Sequence, residues 1–184
     1  VHSVVKRPRP EQKRVWASLR CEPEEVIAQA FGEALRRDPL CEKHWVVLVD
    51  GNLAQLALIA AAAKKIGVKV TVVVDFIHAL EYLWKAARAL RGEGQSSEDW
   101  VQERAIRLLR GEVSTVAAGI RRSATLNHLA GANRKAVDTC ANYLLNNARY
   151  MRYAACLEHG FPIATGVIEG ACRYLVKDRM DITG

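Results

Sequence analysis

Two short apolar runs with one helix-patterned stretch between them constrain this chain more than any other feature. "WVVLVDG" (Trp45–Gly51) and "VKVTVVVDF" (Val68–Phe76) are continuous and valine-rich, the pattern of strands buried on both faces. Between them, "NLAQLALIAAAAKKIG" is rich in alanine and leucine and ends in two lysines. Its glycine stands where a helix would close. Strand, helix of about four turns, strand is a βαβ unit, with parallel strands and a right-handed crossover. The fold class read from this pattern is α/β.

The rest of the chain is mostly helical in pattern. "VKRPRPEQKR" is basic and broken by proline, an extended arm. "EPEEVIAQAFGEALRRD" opens on proline and acids, carries the stripe Val26, Ile27, Ala30, Phe31, Ala34, and closes on arginines, so it predicts a helix. "PLCEKH" predicts a turn and "IHALEYLWKAARAL" a further helix. "RGEGQSSED" is polar and contains glycine, so it predicts a loop. From Trp100 to about His159 the spacing is helical throughout, with one break near "NHLAGAN". "GFPIATG" predicts a turn and "VIEGACRYLVKDRM" a final amphipathic helix. The divisions expected are residues 1–91 (arm, helix and βαβ), 92–160 (helical insertion) and 161–184 (closing helix).

The chain has 184 residues, half of them hydrophobic, and a formal net charge of +7. That suffices for one core and a small second lobe. The charge favours polyanionic partners, nucleic acid before acidic membrane, or simply a solvated basic surface. The five cysteines are odd in number and form no CxxC pair, so neither a disulfide framework nor a zinc ribbon is expected. A reducing compartment, the cytoplasm, fits them best. No apolar run is long enough to span a bilayer and none reads as a signal peptide. A chain that starts on valine and stops just after a motif-rich helix is expected to be a piece of something longer.

Each strand ends on an aspartate, Asp50 and Asp75. Open α/β sheets place their sites at the carboxyl ends of the strands, and parallel strands put both carboxylates on one edge. The competing reading is a helix cap, a frequent use of aspartate after a strand. His78 follows Asp75 by three residues, which on a helix puts both on one face. Such a pair can hold a metal, orient a phosphate or shuttle a proton, or His78 can be purely structural. In the last helix Glu169, Arg173 and Lys177 share a face. They form either a solvated ion-pair ladder or an acid with cations placed to receive a phosphate backbone. Within the insertion, "GIRRSATLNH" and "NRKAVDTCANYLLNNARYMRY" interleave basic residues with tyrosines, as in single-strand stacking surfaces. The competing reading there is a core stripe of Tyr143, Leu144, Tyr150 and Met151.

The order of these motifs resembles a known family. "VDGN" at a strand end, "VVDFIHALEYLWKAA", a long helical insertion and "TGVIEGACRYLVKDRMDITG" are similar to bacterial insertion-sequence transposases of the DDE type. The likeness is to the Kra-type family, with kinship to Mutator-like and hAT-like enzymes, and it runs from about Arg7 to Gly184. It implies an RNase H-like core, present in part, interrupted by the all-helical insertion. The second acid of the triad falls on Asp50 and the third on Glu169. Asp75 and His78 fall on an accessory motif. Asp50 and Glu169 are the implied ligands of two Mg²⁺ or Mn²⁺ ions, and Arg173, Lys177 and Arg179 the candidate phosphate contacts. The implied partners are DNA, as transposon ends and target, and further copies of the full-length protein. The first acid of the family's triad has no match here, because Asp38 in "RRDPL" belongs to a helix-terminal turn. The expectation is therefore a transposase fragment that does not cut DNA alone. Its alternatives are a non-catalytic DNA-binding or oligomerisation remnant and a nucleotide-binding α/β domain. The last lacks any GxGxxG or Walker lysine after either strand.

Overall fold

The computed structural model describes residues 20–164. In chain order these form α1 (Pro23–Arg37), β1 (Trp45–Val49), α2 (Leu53–Ile66), β2 (Val70–Val74), α3 (Phe76–Arg91), α4 (Gln95–Leu109), α5 (Val113–Leu126), α6 (Gly131–Asn147), a 3₁₀ turn (Ala148–Tyr150) and α7 (Tyr153–Glu158). β1 and β2 pair as a parallel two-stranded sheet, so the chain is α/β and mostly helical. No described helix is long and apolar enough to cross a membrane.

The described residues fall into two compact units. The first holds α1, α2 and the opening residues of both strands. Here α1 packs on α2. Asn52 caps α2, its Oδ1 accepting from the amides of Ala54 (2.9 Å) and Gln55 (3.2 Å). Gly67 closes that helix in the left-handed region, as the sequence predicts. Asp38, at the end of α1, is buried. Its carboxylate accepts from the Trp45 indole (2.8 Å) and from the amides of Glu42 and Lys43. These bonds, the indole's foremost, hold the carboxyl below its usual range against the opposing effect of burial.

The second unit holds the ends of both strands and every helix from α3 onward. Its centre is α3, which packs on α4 and α6, with α5 against α6. Ala79, Leu83, Ala86 and Ala87 line the buried face of α3 at i, i+4, i+7 and i+8. Val137, Cys140, Ala141 and Leu144 form that of α6, and Val116, Ala117, Ile120 and Ala124 that of α5. Alanines on all three helices let the backbones approach closely, and each fully buried leucine or isoleucine contributes about 1.5–3 kcal/mol. Phe76 is clamped between Tyr153, edge-on at 5.1 Å, and the Ile163 carbonyl, which accepts its amide at 2.9 Å.

Three details depart from the sequence reading. In β1 only Trp45 and Val49 are buried, and in β2 only Val73 and Val74. A strand with one neighbour among the described residues is half-covered, whereas the valine pattern predicts both faces buried. α4 begins at Gln95, inside the expected loop. Its polar first turn is satisfied locally, because the buried Ser97 hydroxyl donates to the Gly92 carbonyl at 2.6 Å. Two helix breaks are unforeseen, one at Gly111, whose φ of 84° ends α4, and one at Met151 and Arg152, between the 3₁₀ turn and α7. Residues 110–112 therefore separate α4 from α5, and the anticipated break lies at 127–130. Among the described residues no strand occurs from Gly92 to Gly160.

Candidate functional site

Both strand ends, with Asp50 and Asp75, lie within the second unit. β1 ends at Val49 and β2 at Val74, and the Asp75 amide donates to the Val49 carbonyl at 2.6 Å. Asp50 and Asp75 therefore leave the sheet side by side on one edge, as parallel pairing requires. The two carboxylates have different roles. Asp75 caps α3, its Oδ1 accepting from the Ile77 amide at 2.8 Å. Its backbone is non-helical (φ −56°, ψ 120°), so the helical-face argument for Asp75 with His78 does not apply. Asp50 does not cap α2, because Asn52 does. It is exposed, and Gly51 follows it with a φ of 89°. That conformation favours glycine.

Three aromatic rings stand at this edge. Tyr82 of α3 and Tyr143 of α6 stack at 3.9 Å, nearly parallel at 9°. His78 meets both edge-on, at 5.4 Å and 5.8 Å. The Tyr143 hydroxyl donates to the Asp50 carbonyl at 2.8 Å, tying the insertion to the end of β1. His78 Nδ1 lies 3.2 Å from Glu81, and Lys85 Nζ lies 5.2 Å from the Tyr82 ring centre. Burial pushes the Tyr143 hydroxyl well above its usual range, and Tyr82, Asp50, Asp75 and Glu81 push the same way. It therefore remains a donor at any working pH, in a field set by three carboxylates.

Behind this edge Tyr153 is fully buried, and its hydroxyl has no hydrogen-bond partner among the described residues. Burial first, then Tyr143 and Asp75, raise it far above the ordinary phenol range. Cys140 is inert in the α6 core, its thiol pushed up to about 12 by burial. Cys41, Cys140 and Cys156 carry free thiols.

Asp50, Asp75 and His78 are thus brought to one edge. Glu169, Arg173, Lys177, Arg179 and the "KRPRPEQKR" arm lie outside the described residues. Asp38, already excluded as the first acid by its position, is engaged by Trp45 and two backbone amides. Carboxylate oxygens suit a hard divalent cation, and Asp50 is exposed at this edge. No group of three or more metal-ligating side chains occurs among the described residues. Sequence reasoning missed Tyr82, Glu81 and the bond from Tyr143 to Asp50. The i,i+4 spacing of His78 and Tyr82 could have signalled their pairing; nothing local signals a contact between positions 50 and 143. No family model, no curated protein and no solved structure matches this chain.

Proposed function

We propose that this chain is part of the catalytic region of a DDE-type insertion-sequence transposase of the Kra type, with an RNase H-like core, working on DNA in the cytoplasm. The observation that carries the reading is the edge at which Asp50 and Asp75 emerge together, Asp75 as the cap of α3 and Asp50 with an exposed side chain. In this reading Asp50 and Glu169 hold Mg²⁺ or Mn²⁺. The chemistry such ions would supply there is activation of water or a DNA 3′-hydroxyl and stabilisation of the leaving oxygen. Tyr143 fixes the backbone carbonyl of Asp50 and so the direction in which its carboxylate leaves the strand. His78 faces Glu81 through Nδ1, which leaves Nε2 to meet the scissile phosphate. Asp75 positions α3, and with it His78. Arg173, Lys177 and Arg179 take backbone phosphates, and the full-length protein acts as an oligomer on transposon ends and target.

The first acid of the triad has no counterpart among the 184 residues, so the reading assigns it to a further segment upstream in a longer protein. The test is cleavage of labelled insertion-end DNA with and without Mg²⁺ or Mn²⁺. The 184-residue chain is expected not to cut. A lengthened protein that adds a strand-borne aspartate is expected to cut, and Asp50→Asn or Glu169→Gln to lower its rate by several powers of ten, each about 1.4 kcal/mol of transition-state stabilisation. A lengthened protein that binds DNA and never cuts it would instead support a DNA-binding remnant. Cutting that survives Asp50→Asn would remove this edge from the chemistry.

A further inference from the structure

The positive charge of this chain is unevenly placed. From Val113 to Leu157 there are six Arg or Lys and one acid, Asp138, so this stretch carries +5 of the chain's +7. From Asp75 to Glu112, by contrast, seven acids face six cations. Four of the six cations of the later stretch sit on the α5–α6 hairpin: Arg121 and Arg122 on α5, Arg134 at the end of the first turn of α6 and Lys135 just beyond it. Arg122 and Lys135 are exposed. Arg121 donates to Asn142, a neutral amide, which leaves its charge uncompensated by that bond. Asp138 is bound to Arg134 at 2.9 Å and offsets only that one cation. α6 has no side-chain cap and no acid in its first turn. Arg134 adds to the positive end of the helix dipole, and Lys135 follows it with an exposed charge. Positive potential concentrated on one hairpin points to an anion from outside.

We propose that the α5–α6 hairpin is a phosphate-backbone contact for duplex DNA, separate in sequence from Arg173, Lys177 and Arg179. The choice of DNA rests on the transposase reading; the surface itself rests on charge and geometry. α6 continues from the hairpin to Tyr143, which holds Asp50. Arg134 and Lys135 lie about 12–14 Å along the helix from Tyr143. That span corresponds to about four base pairs, so a duplex seated on the hairpin reaches the strand-end edge.

The test is fluorescence anisotropy with a labelled duplex over a series of KCl concentrations, without divalent metal so that cleavage does not enter. Arg122→Ala with Lys135→Ala changes two exposed side chains. Lys64→Ala with Lys65→Ala removes the same charge from exposed positions on α2, and circular dichroism verifies that both variants are folded. The hairpin variant is expected to bind at least about tenfold more weakly, and its slope of log K against log salt to fall by about two. The α2 variant is expected to stay close to the parent. Equal losses in both variants, an unchanged slope in the hairpin variant, or a parent chain that binds no duplex would each overturn the proposal. Binding is read without divalent metal and cleavage with it, so the two readouts are independent. Failure of the hairpin thus leaves the Asp50 dependence of cleavage intact, and failure of the catalytic reading leaves the hairpin's salt slope intact.

Discussion

Two aspartates that look alike in sequence differ in what they support, and substitution separates them. Asp75 caps α3, so Asp75→Ala is expected to cost about 0.5–2 kcal/mol in urea unfolding. Asp50 is exposed and is not the residue that caps α2, so Asp50→Asn, which keeps the side chain's size and one acceptor oxygen, is expected to change stability by no more than about 0.5 kcal/mol. A large loss at Asp50 would make it a structural carboxylate. Tyr153 has the opposite character. Its hydroxyl is buried without a partner among the described residues, a state that costs about 1–3 kcal/mol relative to a satisfied group. Tyr153→Phe deletes the hydroxyl and keeps the ring against Phe76. It is expected to raise the melting temperature, and a fall would reveal a partner for that oxygen.

At the scale of elements, two junctions depend on single residues. Asp38 joins the end of α1 to the start of β1 through the Trp45 indole. Its pKa in the folded chain lies below the ordinary value of 3.8. Its ionised form therefore stabilises the fold above that ordinary value, and this contribution is lost as pH falls through the depressed one. Urea midpoints measured from neutral to acid pH are expected to fall more steeply below about pH 4 in the parent than in Asp38→Asn. Identical profiles would show that the indole bond does not favour the ionised carboxylate. Gly111 joins α4 to α5 at a φ of 84°, with open space where a Cβ would stand. Gly111→Ala meets no neighbour, so its cost is backbone strain alone, about 1–2 kcal/mol. Chemical unfolding of the variant measures it, and a neutral result would mean that the turn relaxes to an ordinary conformation.

Across the whole molecule, what was legible in the sequence followed from local physics. Alternating turn chemistry and apolar runs determined the βαβ unit, because a valine run, a helix closed by Gly67 and a second valine run have one short-range solution. The glycine that closes α2 and the excess of cations over acids were likewise readable, since the one depends on residues a few positions apart and the other on simple counting. The start of α4 was not, because a polar first turn looks like a loop until Ser97 finds the Gly92 carbonyl. Nor was the break at Gly111, since helical spacing continues on both sides of it. The candidate edge divides in the same way. Its aspartates were marked by their place after the strands, but only the tertiary structure decided which one caps a helix and which stands exposed. It alone brought Tyr143 to Asp50, because the packing of α6 on α3 depends on complementary alanine and leucine faces far apart in the chain. Periodicity shows that such faces exist; which ring and which carbonyl meet across them is settled only when the faces pack.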